Sequence, residues 1–88
     1  MGFDWDHANT EHVARHGVTR DEAESVFYNE PRELGGQTAD GEQRFSIVGP
    51  TDAGSVLVVV WTARGDMVLI VTAYPAGPKL RRWYAEGD

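Results

Sequence analysis

The sequence predicts an α+β domain with two N-terminal helices, a three- to four-stranded antiparallel sheet and one C-terminal helix. Three observations carry that prediction. Capped amphipathic signals fill residues 6–27, Val-rich runs cut by glycine fill residues 43–74, and Gly77-Pro78 opens a basic terminal segment. Hydrophobic side chains make up 41% of the 88 residues and charged ones 25%. That mixture is globular, and the length suits one domain, 1–88, burying about 60 to 65% of its unfolded surface.

Each element has its own signals. Asp6 is placed to cap a first helix over residues 7–16, and Gly17 supplies the left-handed stop. Thr19-Arg20-Asp21-Glu22 fits a capping box, in which the hydroxyl takes an orphan amide and the Glu reaches back to the cap. In the helix that follows, Ala23, Val26 and Phe27 share one face, and Asn29 with Pro31 ends it. A weak strand is expected over residues 32–34 and better ones over 43–48, 55–63 and 66–74, with 50–54 as a polar connection. Gly77 then caps a last helix with Pro78 at its first position and 79–86 as its body.

The two strongest strands fix a testable partition. A two-residue Arg64-Gly65 loop would pair Ala63 with Asp66, Trp61 with Val68 and Val59 with Ile70. Val56, Val58, Val60, Met67, Leu69 and Val71 then share one face; Leu57, Val59, Trp61, Val68, Ile70, Thr72 and Tyr74 share the other. Both faces are apolar, so the second needs a cover: the last helix, a second copy in a homodimer, or a partner protein. Arg at the first loop position fits poorly where positive φ is required, which allows a slip of one residue.

Composition narrows the function. Without cysteine there is no disulfide framework, thiolate metal cluster or Cys nucleophile, and a reducing cytoplasm is expected. The N-terminus lacks a basic segment followed by an apolar one, and the longest apolar run, 56–61, is far short of a membrane span, so a soluble protein is expected. The net charge of −6 disfavours bulk electrostatic binding of nucleic acid. The charge is unevenly distributed, however: residues 1–42 hold ten acids against three bases, whereas 43–88 hold four against five. An anionic ligand would be met by Arg64 and by Lys79, Arg81 and Arg82.

The residues also carry a resemblance. Phe3-Asp4-Trp5-Asp6, Arg15-His16-Gly17-Val18, Glu22-Ala23 through Val26-Phe27 and Gly41-Glu42-Gln43-Arg44-Phe45 come in order. Val56-Leu57-Val58-Val59-Val60, Thr62-Ala63-Arg64-Gly65-Asp66, and Arg81-Arg82 with Tyr84 complete the set. Spread over nearly the whole chain, they resemble the BrnT toxin family of bacterial type II toxin-antitoxin systems. The resemblance implies a RelE-like fold, RNA cleavage without a metal or other cofactor, and a BrnA-like, DNA-binding antitoxin as partner. One departure stands out. Where the family carries Ser-Ala-Arg at the end of its last strand, this chain has Thr72-Ala73-Tyr74, then Pro75. An arginine suited to a phosphate is exchanged for a ring, so a catalytically impaired binding module is the alternative reading.

Candidate site residues follow. Metal-free cleavage needs the 2′-hydroxyl deprotonated, the leaving oxygen protonated and the charge on phosphorus held by fixed cations. Arg64, Lys79, Arg82 and Tyr84 are the catalytic candidates; Lys79 and Arg82, three apart, share a helix face that Arg81 leaves. Arg44, Trp61, Tyr74 and Arg81 are candidates for RNA contact, Trp61 and Tyr74 as a stacking platform or, more economically, a protein interface. His12 and His16 stand at i and i+4 with no third ligand placed beside them, so no metal site is assigned, and His16 suits the negative end of its helix. The nuclease reading expects Arg64 and the C-terminal bases to converge on one anion-receiving pocket.

Overall fold

The computed structural model describes residues 2–87. It contains β1 (Gly2–Phe3), α1 (His7–Arg15), α2 (Arg20–Val26), β2 (Arg32–Ala39), β3 (Glu42–Pro50), β4 (Val56–Arg64), β5 (Met67–Pro75) and α3 (Pro78–Glu86). The α+β class and the three helices match the sequence reading. The sheet is larger than expected, with five strands in the order β1-β5-β4-β3-β2, and it is mixed because β1 lies parallel to β5. A two-residue strand carries no periodicity by which a sequence could announce it.

The caps form as read. Asp6 accepts from the Asn9 amide at 2.9 Å, and Asn9 returns the bond by accepting from the Asp6 amide at 2.7 Å. Thr19 and Glu22 close the second box at 3.1 and 2.8 Å. Gly17, at φ 74°, ends α1. The weak strand at 32–34 is in fact the start of the eight-residue β2. It continues through a bulge between Glu33 and Gly35, where Gly35 takes a φ of 121° closed to other residues. Asp40 and Gly41, both at positive φ, turn the chain into β3.

The β4–β5 hairpin departs from the expected register in two ways. Its loop is Gly65-Asp66, with Arg64 opposite Met67, because glycine accepts at the first loop position the positive φ that arginine resists. Further along, Trp61 pairs with Ile70 but Val60 with Thr72, so Val71 is an extra residue. One extra residue inverts the alternation beyond it. Ala73 therefore enters the helix-side core, fully buried, while Thr72 and Tyr74 turn to the other face with Val60 and Val58. Tyr74 does not share Trp61's face, contrary to the sequence partition.

Two apolar clusters result. On the helix side, Val13, Val18, Ala23 and Val26 pack on Ile47, Leu57, Val59, Ile70 and Ala73, edged by Phe3, Trp5, Phe27, Trp61 and Val68. On the second face, α3 lays Leu80 and Tyr84 over Val48, Val56, Val58 and Ala76. The C-terminal helix is thus one cover of the second face, and it covers only the end of the sheet near Val56 and Pro75. None of its own residues is fully buried.

Candidate functional site

The end of the second face beyond α3 is where the cations and polar groups gather. Strand alternation places Arg44 and Ser46 of β3 there, because Phe45 between them packs on Trp61 on the helix side at 4.8 Å between ring centroids. The same alternation puts Val60, Thr62 and Arg64 of β4 on this face, and the Val71 bulge adds Thr72 and Tyr74 of β5. Along α3, Leu80 and Tyr84 point down to the sheet, and Arg81 turns toward the strand-end loops beside Gly17 and Gly54. At 100° per residue, Lys79 then lies on the opposite flank, toward the uncovered face, and Arg82 on the outer surface.

The expected single pocket does not form. Arg64 sits at the hairpin turn, whereas α3 leaves β5 beside Leu57, at the other end of the same strands. Seven to eight residues of strand separate the two, roughly 25 Å. Arg64 and the α3 bases border one open face without meeting. Arg64 makes a loose surface pair with Asp4 at 3.7 Å, and Arg44 an ion pair with Glu42 at 3.1 Å. Such exposed pairs hold little energy and leave the guanidinium groups available to a phosphate.

Three candidates stand elsewhere than their assigned roles need. Trp61 lies on the helix side, edge-on to Phe27 at 6.1 Å and beside Phe45, so it forms no platform with Tyr74. Its indole N–H is buried and has no partner among the described residues. Tyr84 donates its hydroxyl to the Glu30 carbonyl at 2.8 Å, with the Asn29 carbonyl at 3.3 Å, which ties α3 to the α2–β2 loop. Arg81 donates to the Ala76 carbonyl at 3.0 Å and so braces its own helix start. Lys79 and Arg82 are exposed and form no ion pair among the described residues.

The histidines are placed singly. His7 meets Glu11 at 2.9 Å, His12 Nδ1 lies 3.2 Å from the Val71 carbonyl, and His16 stacks at a tilt on Tyr74 with 5.8 Å between centroids. Sequence reasoning passed over Arg32. Its guanidinium lies 3.7 Å from the Trp83 ring centre and donates to the Trp83 and Gly87 carbonyls at 2.9 and 2.7 Å, capping α3 from β2. Ser46 and Gln37 were also passed over; with Tyr74 and Leu80 they line a cavity of about 300 Å³ beside α3. Nothing in a lone Ser or Gln signals this before the strands are in register.

Charge divides by layer. The two helices on the first face carry Glu11, Asp21, Glu22 and Glu24 against Arg15 and Arg20, while α3 carries Lys79, Arg81 and Arg82 against Glu86. Fold and face together describe a small α+β domain whose partly uncovered sheet face is bordered by cations, a layout suited to an anionic polymer. The model of one family, described as ribonuclease toxin, BrnT, of type II toxin-antitoxin system, matches residues 5–79. The chain belongs to the BrnT family of ribonuclease toxins. A search of curated proteins found no match. Among the described residues, no helix is long and apolar enough to cross a membrane.

Proposed function

We propose that this chain is a cytoplasmic, metal-independent endoribonuclease with a RelE-like fold, that it lays single-stranded RNA across the second sheet face, and that a BrnA-like, DNA-binding antitoxin neutralises it. The observation that carries this reading is the placement of Arg44, Arg64 and Lys79 around one uncovered face, on the opposite side of the sheet from α1 and the acidic α2. Arg64 and Lys79 act as phosphate holders at the two ends of the bound strand, with Arg44 between them, while Arg82 stands outside this path on the outer surface of α3. In the reaction, the 2′-oxygen loses its proton and attacks phosphorus, the bond to the 5′-oxygen breaks, and that oxygen leaves with a proton. A 2′,3′-cyclic phosphate and a 5′-hydroxyl remain. A cation held against the charge gathering on phosphorus is worth about 10² to 10³ in rate, by comparison with a lost oxyanion-hole donor.

The test is cleavage of RNA by purified protein in the presence of a chelator. Fragments ending in cyclic phosphate are expected, with one of Arg64→Ala and Lys79→Ala slowing the reaction about 10² to 10³-fold and the other, at the far end of the strand, weakening RNA binding only. Intact RNA, together with undisturbed bacterial growth when the chain is induced alone, would remove the proposal.

A second reading is favoured by two observations, the separation of Arg64 from α3 and Tyr74 in place of the family's arginine. In it, the chain keeps the toxin fold and the antitoxin partner, or pairs with itself, but is catalytically impaired. Tyr74→Arg then gains activity over the parent. A fully active parent would defeat this reading.

A further inference from the structure

The cavity beside Tyr74 has features that phosphate binding does not use. It holds about 300 Å³, near the lower end of the range for small-ligand pockets. Its floor is Val58 and Ser46, its α3 wall is Leu80, Tyr74 closes one side, and Gln37 stands across from it with the Gly35-Gly36 backbone. Polar and apolar groups therefore alternate around a space open on the uncovered face. Tyr74 is 39% exposed, one of the few large rings left accessible. The His16 ring, tilted against it, braces it from the far side.

We infer that this cavity is a nucleobase subsite, in which Tyr74 stacks on one base of the bound strand and Gln37 and Ser46 read that base's edge. The inference rests on the ribonuclease reading and adds to it the determinant of sequence preference. A flat ring offers any base a stacking surface, and discrimination must come from groups that donate and accept at the base edge. Gln37 supplies an amide that does both, and Ser46 a hydroxyl that does both. Lys79, on the flank of α3 beside the cavity, is placed for the adjoining phosphate. The occupant is a base and not a peptide side chain because the neighbouring charges outside the cavity, Lys79 and Arg44, are those that meet a phosphate backbone.

The test uses non-cleavable 2′-O-methyl trinucleotides differing in the central base, titrated into the full chain and into Tyr74→Ala, Tyr74→Phe and Gln37→Ala, with amide resonances followed by NMR. The parent is expected to prefer one base and to shift resonances of Ser46, Tyr74 and Leu80. Tyr74→Ala should weaken binding about tenfold, the size of a lost base–ring stack, while Tyr74→Phe keeps it. Gln37→Ala, at an exposed strand position, should flatten the preference without unfolding the protein. Binding and cleavage that persist unchanged in Tyr74→Ala, or shifts confined to other residues, overturn the subsite and leave the ribonuclease reading standing. Failure of every trinucleotide to bind, with RNA left intact, overturns both. A cavity that responds only to a protein partner also overturns the subsite.

Discussion

Arg32 shows how much one side chain can do at a junction. It opens β2, stacks on Trp83 and closes the last carbonyls of α3, so the helix that borders the second sheet face is held from the far edge of the sheet. Removing it loses two charge-assisted hydrogen bonds and a cation–π contact, and Arg32→Ala should lower stability by about 1 to 3 kcal/mol. An unchanged urea midpoint would show that α3 is held without it. Tyr84 is the second such residue, its hydroxyl bound to the Glu30 carbonyl. Tyr84→Phe is expected to cost about 1 kcal/mol of stability while leaving the cleavage rate within a few-fold. A collapse in kcat at unchanged stability would instead return Tyr84 to acid–base work.

At the scale of the element, the extra residue in β5 decides which side chains reach the second sheet face. Val71 inverts the strand's alternation, sending Ala73 into the core and Tyr74 out. Deletion of Val71 should straighten β5 while leaving Thr72 opposite Val60, Ala73 opposite Val59 and Tyr74 opposite Val58, so that both faces keep their side chains. Its cost is then that of an ordinary local change, about 0.5 to 3 kcal/mol. Thermal or urea unfolding of the deletion variant measures it, and a loss well above about 4 kcal/mol would mean that the extra residue itself holds the strand in place. The same bulge opposes Tyr74 to Val58, beside Leu80, and thereby forms the cavity assigned to a base.

For the whole molecule, a net charge of −6 hides a division between an acidic helical layer and a basic edge on the other face. A strand bound by Arg44, Arg64 and Lys79 releases counterions from about three phosphates. The logarithm of the binding constant should then fall with the logarithm of salt at a slope of about −2, at ~0.7 per contact for a single strand. Arg64→Ala should make the slope shallower by about 0.7. Anisotropy titrations of a labelled oligonucleotide over a salt series provide the measurement, and a flat dependence would exclude electrostatic docking on this face.

The helices were readable because their signals are local: the Asp6 and Thr19 caps, the Gly17 stop and the spacing of Ala23, Val26 and Phe27 lie within a few residues of the bonds and contacts they specify. Family membership was legible for a related reason, since short motifs in order survive in the sequence whatever the chain packs against. The site was only half legible. Its cations stand out by type, but their layout depends on the pairing of strands far apart in sequence. Gly65 moved the hairpin turn by one residue, and the Val71 bulge then turned Tyr74 away from Trp61, an outcome that period-two alternation cannot foresee. The sequence by itself determined the element types, the caps, the apolar stock of both sheet faces and the family. Tertiary structure alone decided the fifth strand, the separation of Arg64 from α3, the Arg32 clamp and the cavity at Tyr74. Each of these arises from non-local register, where a shift of one residue exchanges the two faces of a strand.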